Sequence, residues 1–218
     1  VKIALLGTGK TGSKILENNK HETLCFNSKN PPTFEQLKKC DVIISFLPGD
    51  AFLHFLPLLL ETNLPVVCGS TGFKWPDNLD GILKDKKISW IHATNFSLGV
   101  AVVKELLKKL SSFTSHFPSS KISIHEIHHI HKKDAPSGTA LSMKEWVGKD
   151  CDITSAREGD VIGHHALSFD TGTEKITITH EALDRKLFAE GAIWAAEYLY
   201  KNKRPGLHSF QEVLEDTL

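Results

Sequence analysis

The chain has 218 residues, and its 26 basic and 26 acidic side chains leave a formal net charge of zero. That balance excludes the broad basic face of a nucleic-acid or anionic-membrane binder, so any positive potential must be local. The length is long for one compact domain and short for two full ones, which favours one full lobe with a smaller companion.

Cys25, Cys40, Cys68 and Cys151 form no C-x-x-C pair, and the first three lie in or beside apolar runs, as buried free thiols of a reducing cytoplasm would. Residues 1–6 are too short an apolar run for a signal peptide. Residues 52–60 contain His54 and Pro57 and fall far short of the ~20 apolar residues a membrane span needs, so a soluble cytoplasmic protein is expected.

Residues 2–6 read as an apolar strand that runs into Gly7-Thr8-Gly9-Lys10-Thr11-Gly12, with helix-compatible residues 13–18 beyond. In that setting G-x-G-x-x-G is a dinucleotide fingerprint, because the glycines permit a tight turn and the close approach of a pyrophosphate to a helix N-terminus. An ordinary glycine-rich turn is the competing reading. Residues 23–26 form a second strand ending at Asn27, where a ribose-binding acid would stand, and Ser28 and Lys29 follow. Pro31-Pro32 breaks the chain, and Thr33 with Gln36 resembles a capping box opening a short helix.

A third strand is expected over 41–46 and a helix over 51–60, which Pro57 should kink or divide. Residues 65–68 are a fourth strand, followed by Gly69-Ser70-Thr71-Gly72-Phe73, and 89–92 a fifth, followed by Ala93-Thr94-Asn95-Phe96-Ser97. Strands alternating with helices in this way predict a parallel, doubly wound α/β sheet. The spacing of Val102, Val103, Leu106, Leu107 and Leu110 is then helical.

Residues 122–141 hold the densest chemistry. Ile122 and Ile124 alternate with polar residues as a half-buried strand requires, and Asp134-Ala135-Pro136 is expected to end that strand. Ser137 is a natural N-cap for the periodic run Ala140, Met143, Trp146 and Val147. The backbone N–H groups of Gly138 and Thr139 would then face outward at the positive end of a helix dipole, with Lys132 and Lys133 nearby, as a site for a carboxylate or phosphate. Adjacent His128 and His129 point to opposite faces of a strand and cannot share one ion, whereas His129 and His131 could. Pattern alone therefore leaves three readings: acid–base chemistry beside an anion site, a metal site at His129 and His131, and a plain structural strand. Downstream, 161–169 and 175–179 read as strands joined at Asp170-Thr171-Gly172, with His164 and His165 as sheet residues. Residues 190–200 read as a helix, and Ser209 with Glu212 opens a last one.

The segment His128-His129-Ile130-His131-Lys132-Lys133-Asp134-Ala135-Pro136-Ser137-Gly138-Thr139-Ala140 resembles the H-H-x-x-K-x-D-A-P-S-G-T-A signature of the dihydrodipicolinate reductase family. The loop at Gly69 is similar to that family's G-T-T-G-F, with Ser70 in place of the first threonine, and the loop at Ala93 to its A-x-N-F-S. Ser155-Ala156-Arg157-Glu158-Gly159-Asp160, with Gly163-His164, resembles its S-x-R-x-G-D and G-x-H pieces. The resemblance implies a Rossmann-type doubly wound parallel sheet built from 1–97 and 186–218. It also implies a smaller α+β domain with a mixed sheet over 98–185, for substrate binding and oligomerisation. The implied activity is reduction of 4-hydroxy-tetrahydrodipicolinate to tetrahydrodipicolinate by NADPH or NADH, in lysine and diaminopimelate synthesis. The cofactor would lie on the glycine loop and Asn27-Ser28, with its nicotinamide near Gly69, Ser70, Thr71, Ala93, Thr94, Asn95 and Phe96.

His128 matches the family's general acid and Lys132 the lysine that assists it, while His129, Gly138 and Thr139 match the carboxylate-binding positions. A dicarboxylate substrate, a homotetramer, and no metal, nucleic acid or membrane partner complete what is implied. Two other classes compete: a metal-dependent hydrolase using His129 and His131, and a non-catalytic nucleotide-binding sensor. The chain departs from its family at Asn27, which carries no charge to repel a 2′-phosphate; with Lys29 and Lys10 near, NADPH is expected to bind at least as tightly as NADH.

Overall fold

The computed structural model describes residues 1–217. The chain forms β1 (Lys2–Leu6), α1 (Lys10–Asn18), β2 (Glu22–Phe26), α2 (Phe34–Leu37), β3 (Val42–Ser45), α3 (Gly49–Thr62), β4 (Val66–Cys68), α4 (Leu79–Asp85) and β5 (Ser89–His92). It continues through α5 (Leu98–Phe113), β6 (Lys121–His128), α6 (Gly138–Val147), β7 (Asp152–Arg157), β8 (His164–Asp170) and β9 (Lys175–Glu181). It ends with α7 (Lys186–Lys201), β10 (Gly206–Ser209) and α8 (Phe210–Glu215). These divide into two compact units, one of Val1–Phe96 with the residues from Arg185 on, the other of Ser97–Asp184.

The first unit is a six-stranded sheet in the order β10-β5-β4-β3-β1-β2, parallel at every pairing. Ile3, Ala4, Leu5 and Leu6 are fully buried, because a parallel strand covered on both faces needs a continuous apolar run rather than an alternating one. From β1 the chain first moves to β2 on one side and then crosses to β3 on the other. The loops at the carboxyl ends of β1 and β3 therefore diverge at a topological switch point, where open α/β sheets bind ligands.

Pro57 lies within α3 and does not divide it. Proline removes one N–H from the helix ladder, but Pro57 is on the exposed side, where water can reach the carbonyl left without a partner. Phe52, Leu56 and Leu59 anchor the opposite side in the core. Neither α4 nor β10 is among the elements expected from the sequence, although Leu79, Ile82 and Leu83 of α4 are helically spaced. β10 has only Leu207 as an apolar side chain and exists by pairing with β5, Gly206 opposite Ser89 through Ser209 opposite His92. The capping box at α8 is present as expected: Glu212 N–H donates to Ser209 Oγ at 3.2 Å and Ser209 N–H to Glu212 Oε2 at 2.7 Å.

The second unit is a four-stranded sheet in the order β7-β6-β8-β9. It is mixed, with β6 parallel to β7 and antiparallel to β8. Val103 and Leu107 of α5 and Ala140, Met143 and Val147 of α6 pack with Ile124 and Leu167 of the sheet. Lys121, Ser123, His125 and Thr154 are exposed on the sheet. Strand boundaries differ from expectation, β9 running on to Glu181 rather than 179 and β8 to Asp170 rather than 169. β8 begins at His164, not 161, and β6 ends at His128, six residues before Asp134. The backbone explains the earlier stop: Glu158 N–H donates to His128 O at 2.8 Å and Lys132 N–H to His129 O at 3.0 Å, so the chain turns as soon as β7 runs out. β7 itself is half exposed and lacks alternation, and only pairing with β6 makes it a strand.

Candidate active site

In the second unit Glu126 and His128 are two apart on β6, so both side chains point to the same face, and both are buried. Strand register places His165 of β8 opposite Glu126 and Arg157 of β7 opposite His128. His128 Nδ1 is hydrogen-bonded to Glu126 Oε2. Arg157 Nη1 donates to Glu126 Oε1 at 3.0 Å, while its Nε and Nη2 donate to the backbone oxygens of Lys132 and Asp134. One guanidinium thus compensates the buried carboxylate and pins the turn that follows His128. Gly163 lies against this group: a methyl there would come within 3.1 Å of His128 Nε2.

Burial pushes the Glu126 carboxyl up, but hydrogen bonds from Ser155, His128 and Arg157 outweigh it and hold the group below the ordinary carboxylate value. Burial is also the main influence on His128 and lowers it, partly offset by Glu126 and reinforced by the charges of Lys132 and Arg157. His165 is pushed down to about 3, chiefly by burial. Its ring meets that of His128 edge to face with centroids 5.0 Å apart, and its Nε2 is 3.0 Å from Ser137 Oγ. Ser137 caps α6 as the sequence predicts, accepting from Ala140 N–H at 3.2 Å. Lys132 Nζ is 2.8 Å from the Asp134 carboxylate. Gly138 and Thr139 occupy the first turn of α6, Gly138 exposed and Thr139 half-buried.

His129 and His131 lie in the turn rather than in the strand, with ring centroids 6.3 Å apart and His131 exposed. The strand geometry that would have let them share an ion is absent. Among the described residues, the group whose donor atoms come within 4.8 Å of one another is Glu126, His128 and His165. Here Arg157 already supplies positive charge to Glu126, and His128 is hydrogen-bonded to the carboxylate itself. Glu126, Arg157 and His165 are the residues that sequence reasoning misses at this site. The period of two from His128 is the one signal that could have found Glu126.

In the first unit the glycine-rich turn has the local geometry its sequence predicts. Gly7 has φ of 94°, in the left-handed region glycine favours. A Cβ at Gly12 would lie 2.0 Å from Gly7 O, so α1 packs directly on the turn, whereas one at Gly9 would meet nothing within 4 Å. A tight turn, a close helix and an open approach are what a pyrophosphate requires. Asn27 Oδ1 accepts from Lys29 N–H at 2.9 Å and Asn30 N–H at 3.1 Å; Ser28 and Lys10 are exposed. Ser70 Oγ is 3.1 Å from Ser45 Oγ, and Phe96 is buried with its ring against Phe46 and Phe210. A ligand contact at either would come from backbone. Thr8 and Thr11 are half-buried, Gly69 and Asn95 likewise, Thr71 and Thr94 are exposed, and Ala93 is buried.

A parallel sheet with this glycine turn, in one chain with a buried carboxylate–histidine couple beside a capped helix N-terminus, has the build of a nucleotide-dependent oxidoreductase. Profiles described as dihydrodipicolinate reductase, N-terminus and C-terminus, match residues 26–96 and 99–214. A 4-hydroxy-tetrahydrodipicolinate reductase of Bdellovibrio bacteriovorus is 38% identical over 227 residues, covering 98% of this chain and 96% of its own. One of Christiangramia forsetii is 34% identical over 239 residues, covering 99% and 98%. The fold is shared with a dipicolinate-bound dihydrodipicolinate reductase from Paenisporosarcina sp. TG-14, at TM-score 0.74 and 23% identity over 98% of this chain and 99% of that one. The chain belongs to the dihydrodipicolinate reductase family. It is an enzyme of the NAD(P)H-dependent oxidoreductase class, and neither the hydrolase nor the sensor alternative finds support.

Proposed function

We propose that the chain reduces 4-hydroxy-tetrahydrodipicolinate with NADPH or NADH, and that His128 delivers the proton. The observation that carries this reading is the buried Glu126–His128 couple set next to the N-terminus of α6. A reduced nicotinamide supplies the hydride when bound. The glycine turn, Asn27-Ser28, and the loops at Gly69 and Ala93 hold the cofactor, the loops partly through backbone.

Glu126 is a carboxylate acceptor, so His128 Nδ1 carries a proton and Nε2 is the atom that transfers one. Loss of the 4-hydroxyl group as water leaves a conjugated cyclic imine; hydride added to its ring carbon leaves negative charge conjugated with the nitrogen, and a proton from the imidazolium, which reverts to neutral imidazole, completes the reduction. His129, Lys132 and the N–H groups of Gly138 and Thr139 hold the substrate carboxylates, which fixes the ring for both transfers. Lys132 exchanges Asp134 for a substrate oxygen. Pyridine-2,6-dicarboxylate, the ligand named in the Paenisporosarcina structure, is expected to compete with substrate, and Thr139→Val to weaken it.

NADPH is the favoured cofactor in this reading, because Asn27 is an uncharged amide rather than a carboxylate, Lys29 follows two residues on, and both Lys29 and Lys10 of the glycine turn are exposed. Titrating both cofactors against wild type and Lys29→Ala tests this. NADPH at least as tight as NADH, and a selective loss of NADPH affinity in the variant, is expected; a clear wild-type preference for NADH rejects it. Membership of the family is what supports a homotetramer assembled through the second unit, which light scattering on the purified protein would read directly. The four free cysteines support a cytoplasmic site of action.

A further inference from the structure

We propose that His165 is a positioning residue that makes the Ser137 hydroxyl an obligatory donor to a substrate carboxylate at the N-terminus of α6. This rests on the carboxylate site proposed above and names a residue that acts on it from behind. His165 is 3% exposed and lies on the central region of the sheet, opposite Glu126 on one side and His180 on the other. Its Nε2 is 3.0 Å from Ser137 Oγ, and its buried Nδ1 has no hydrogen-bond partner.

The ring is neutral, so one nitrogen carries hydrogen and the other a lone pair. If the hydrogen were on Nδ1, a buried N–H would be stranded without an acceptor, which is rarer and more costly than an acceptor left unused. With the hydrogen on Nε2, the ring donates to Ser137 Oγ. That oxygen already accepts from Ala140 N–H at 3.2 Å. Both its lone pairs are then engaged, and its own proton points to a third group. A hydroxyl free to rotate would bind a carboxylate or a water with equal ease; one held in this way offers only a donor, beside the N–H groups of Gly138 and Thr139. Arg157 does not replace it, since it is tied to Glu126 and to the backbone of the turn after His128.

The test compares His165→Leu, His165→Gln, Ser137→Ala and the His165→Leu/Ser137→Ala double variant for pyridine-2,6-dicarboxylate inhibition and for substrate KM and kcat. Loss of one hydrogen bond to a charged group predicts a roughly 10- to 100-fold rise in Ki and KM for His165→Leu and for Ser137→Ala. The double variant should be no worse than Ser137→Ala, kcat and cofactor KM should change little, and the Gln side chain, with an N–H near the Nε2 position, should restore most of the loss. An unchanged Ki in His165→Leu while Ser137→Ala raises it would overturn the role of His165 and leave the carboxylate site standing, as would a fall in kcat alone. An unchanged Ki in both Ser137→Ala and Thr139→Val would remove the site and this proposal together. Nitrogen-15 shifts of the wild-type histidines give an answer independent of any variant's folding: His165 protonated at Nε2 is expected, and protonation at Nδ1 contradicts the proposal.

Discussion

At His128 the two ring nitrogens answer to different partners. Nδ1 faces the Glu126 carboxylate, so the imidazolium form that can donate from Nε2 is stabilised by a charge two residues away. Burial opposes that form and prevails, leaving the group below its ordinary value in the free enzyme. Because the acid must be protonated, kcat/KM should be flat at low pH and fall as pH rises, with the descending limb beginning below the usual imidazole value of about 6.5. Glu126→Gln removes the stabilising charge and keeps the shape, and should move that limb down by about 1 to 3 pH units. A pH–rate profile of the variant that overlays the wild type would separate Glu126 from proton delivery. The identities of His128 and Ser137 are legible in sequence because each belongs to a contiguous local pattern. Glu126, Arg157 and His165 converge through strand register, from three strands of which one, β7, has no periodicity to announce it.

Among the elements, the turn between β1 and α1 is the most legible, since the positive φ of Gly7 and the contact of Gly12 with Gly7 O arise within the turn itself. Gly12 has no room for a Cβ and Gly9 has ample room, which separates fold from function. Gly12→Ala should lower both thermal stability and cofactor affinity, because α1 must move off the turn. Gly9→Ala should leave the melting temperature nearly unchanged and still weaken the cofactor, by intruding where a pyrophosphate would approach. Calorimetry with cofactor titration on the two variants checks this; equal stability in both would refute the packing argument. β10 is illegible for the opposite reason: it has no pattern of its own, and the edge of the sheet supplies the pairing that makes it a strand, whereas α4 carries the helical spacing Leu79, Ile82, Leu83 over only seven residues. Pro57 shows a local rule yielding to context, because the core contacts of α3 hold the helix through it.

For the whole molecule, the buried histidines make folding depend on pH. His165 titrates at about 3 in the folded protein and near 6.5 unfolded, so the unfolded chain binds the extra proton between those values. A folded value depressed in this way gives stability that is complete above about pH 6.5 and is lost as pH falls toward about 3. His128 and His180, both lowered, add in the same direction, and Glu126 adds its loss at more acidic pH. The urea midpoint should therefore drop between about pH 7 and pH 5, by an amount worth on the order of a few kcal/mol, and His165→Leu should flatten that dependence. A wild-type midpoint constant over this range would refute the assignment of a neutral buried ring.

The activity and its acid are tested together by one assay, oxidation of NAD(P)H on freshly generated 4-hydroxy-tetrahydrodipicolinate by wild type and His128→Ala, with cofactor affinity measured alongside. Turnover in the wild type is predicted, with kcat reduced roughly 10²- to 10⁴-fold in the variant and cofactor binding unaltered. No turnover in the wild type, or near-normal kcat in His128→Ala, would contradict the account.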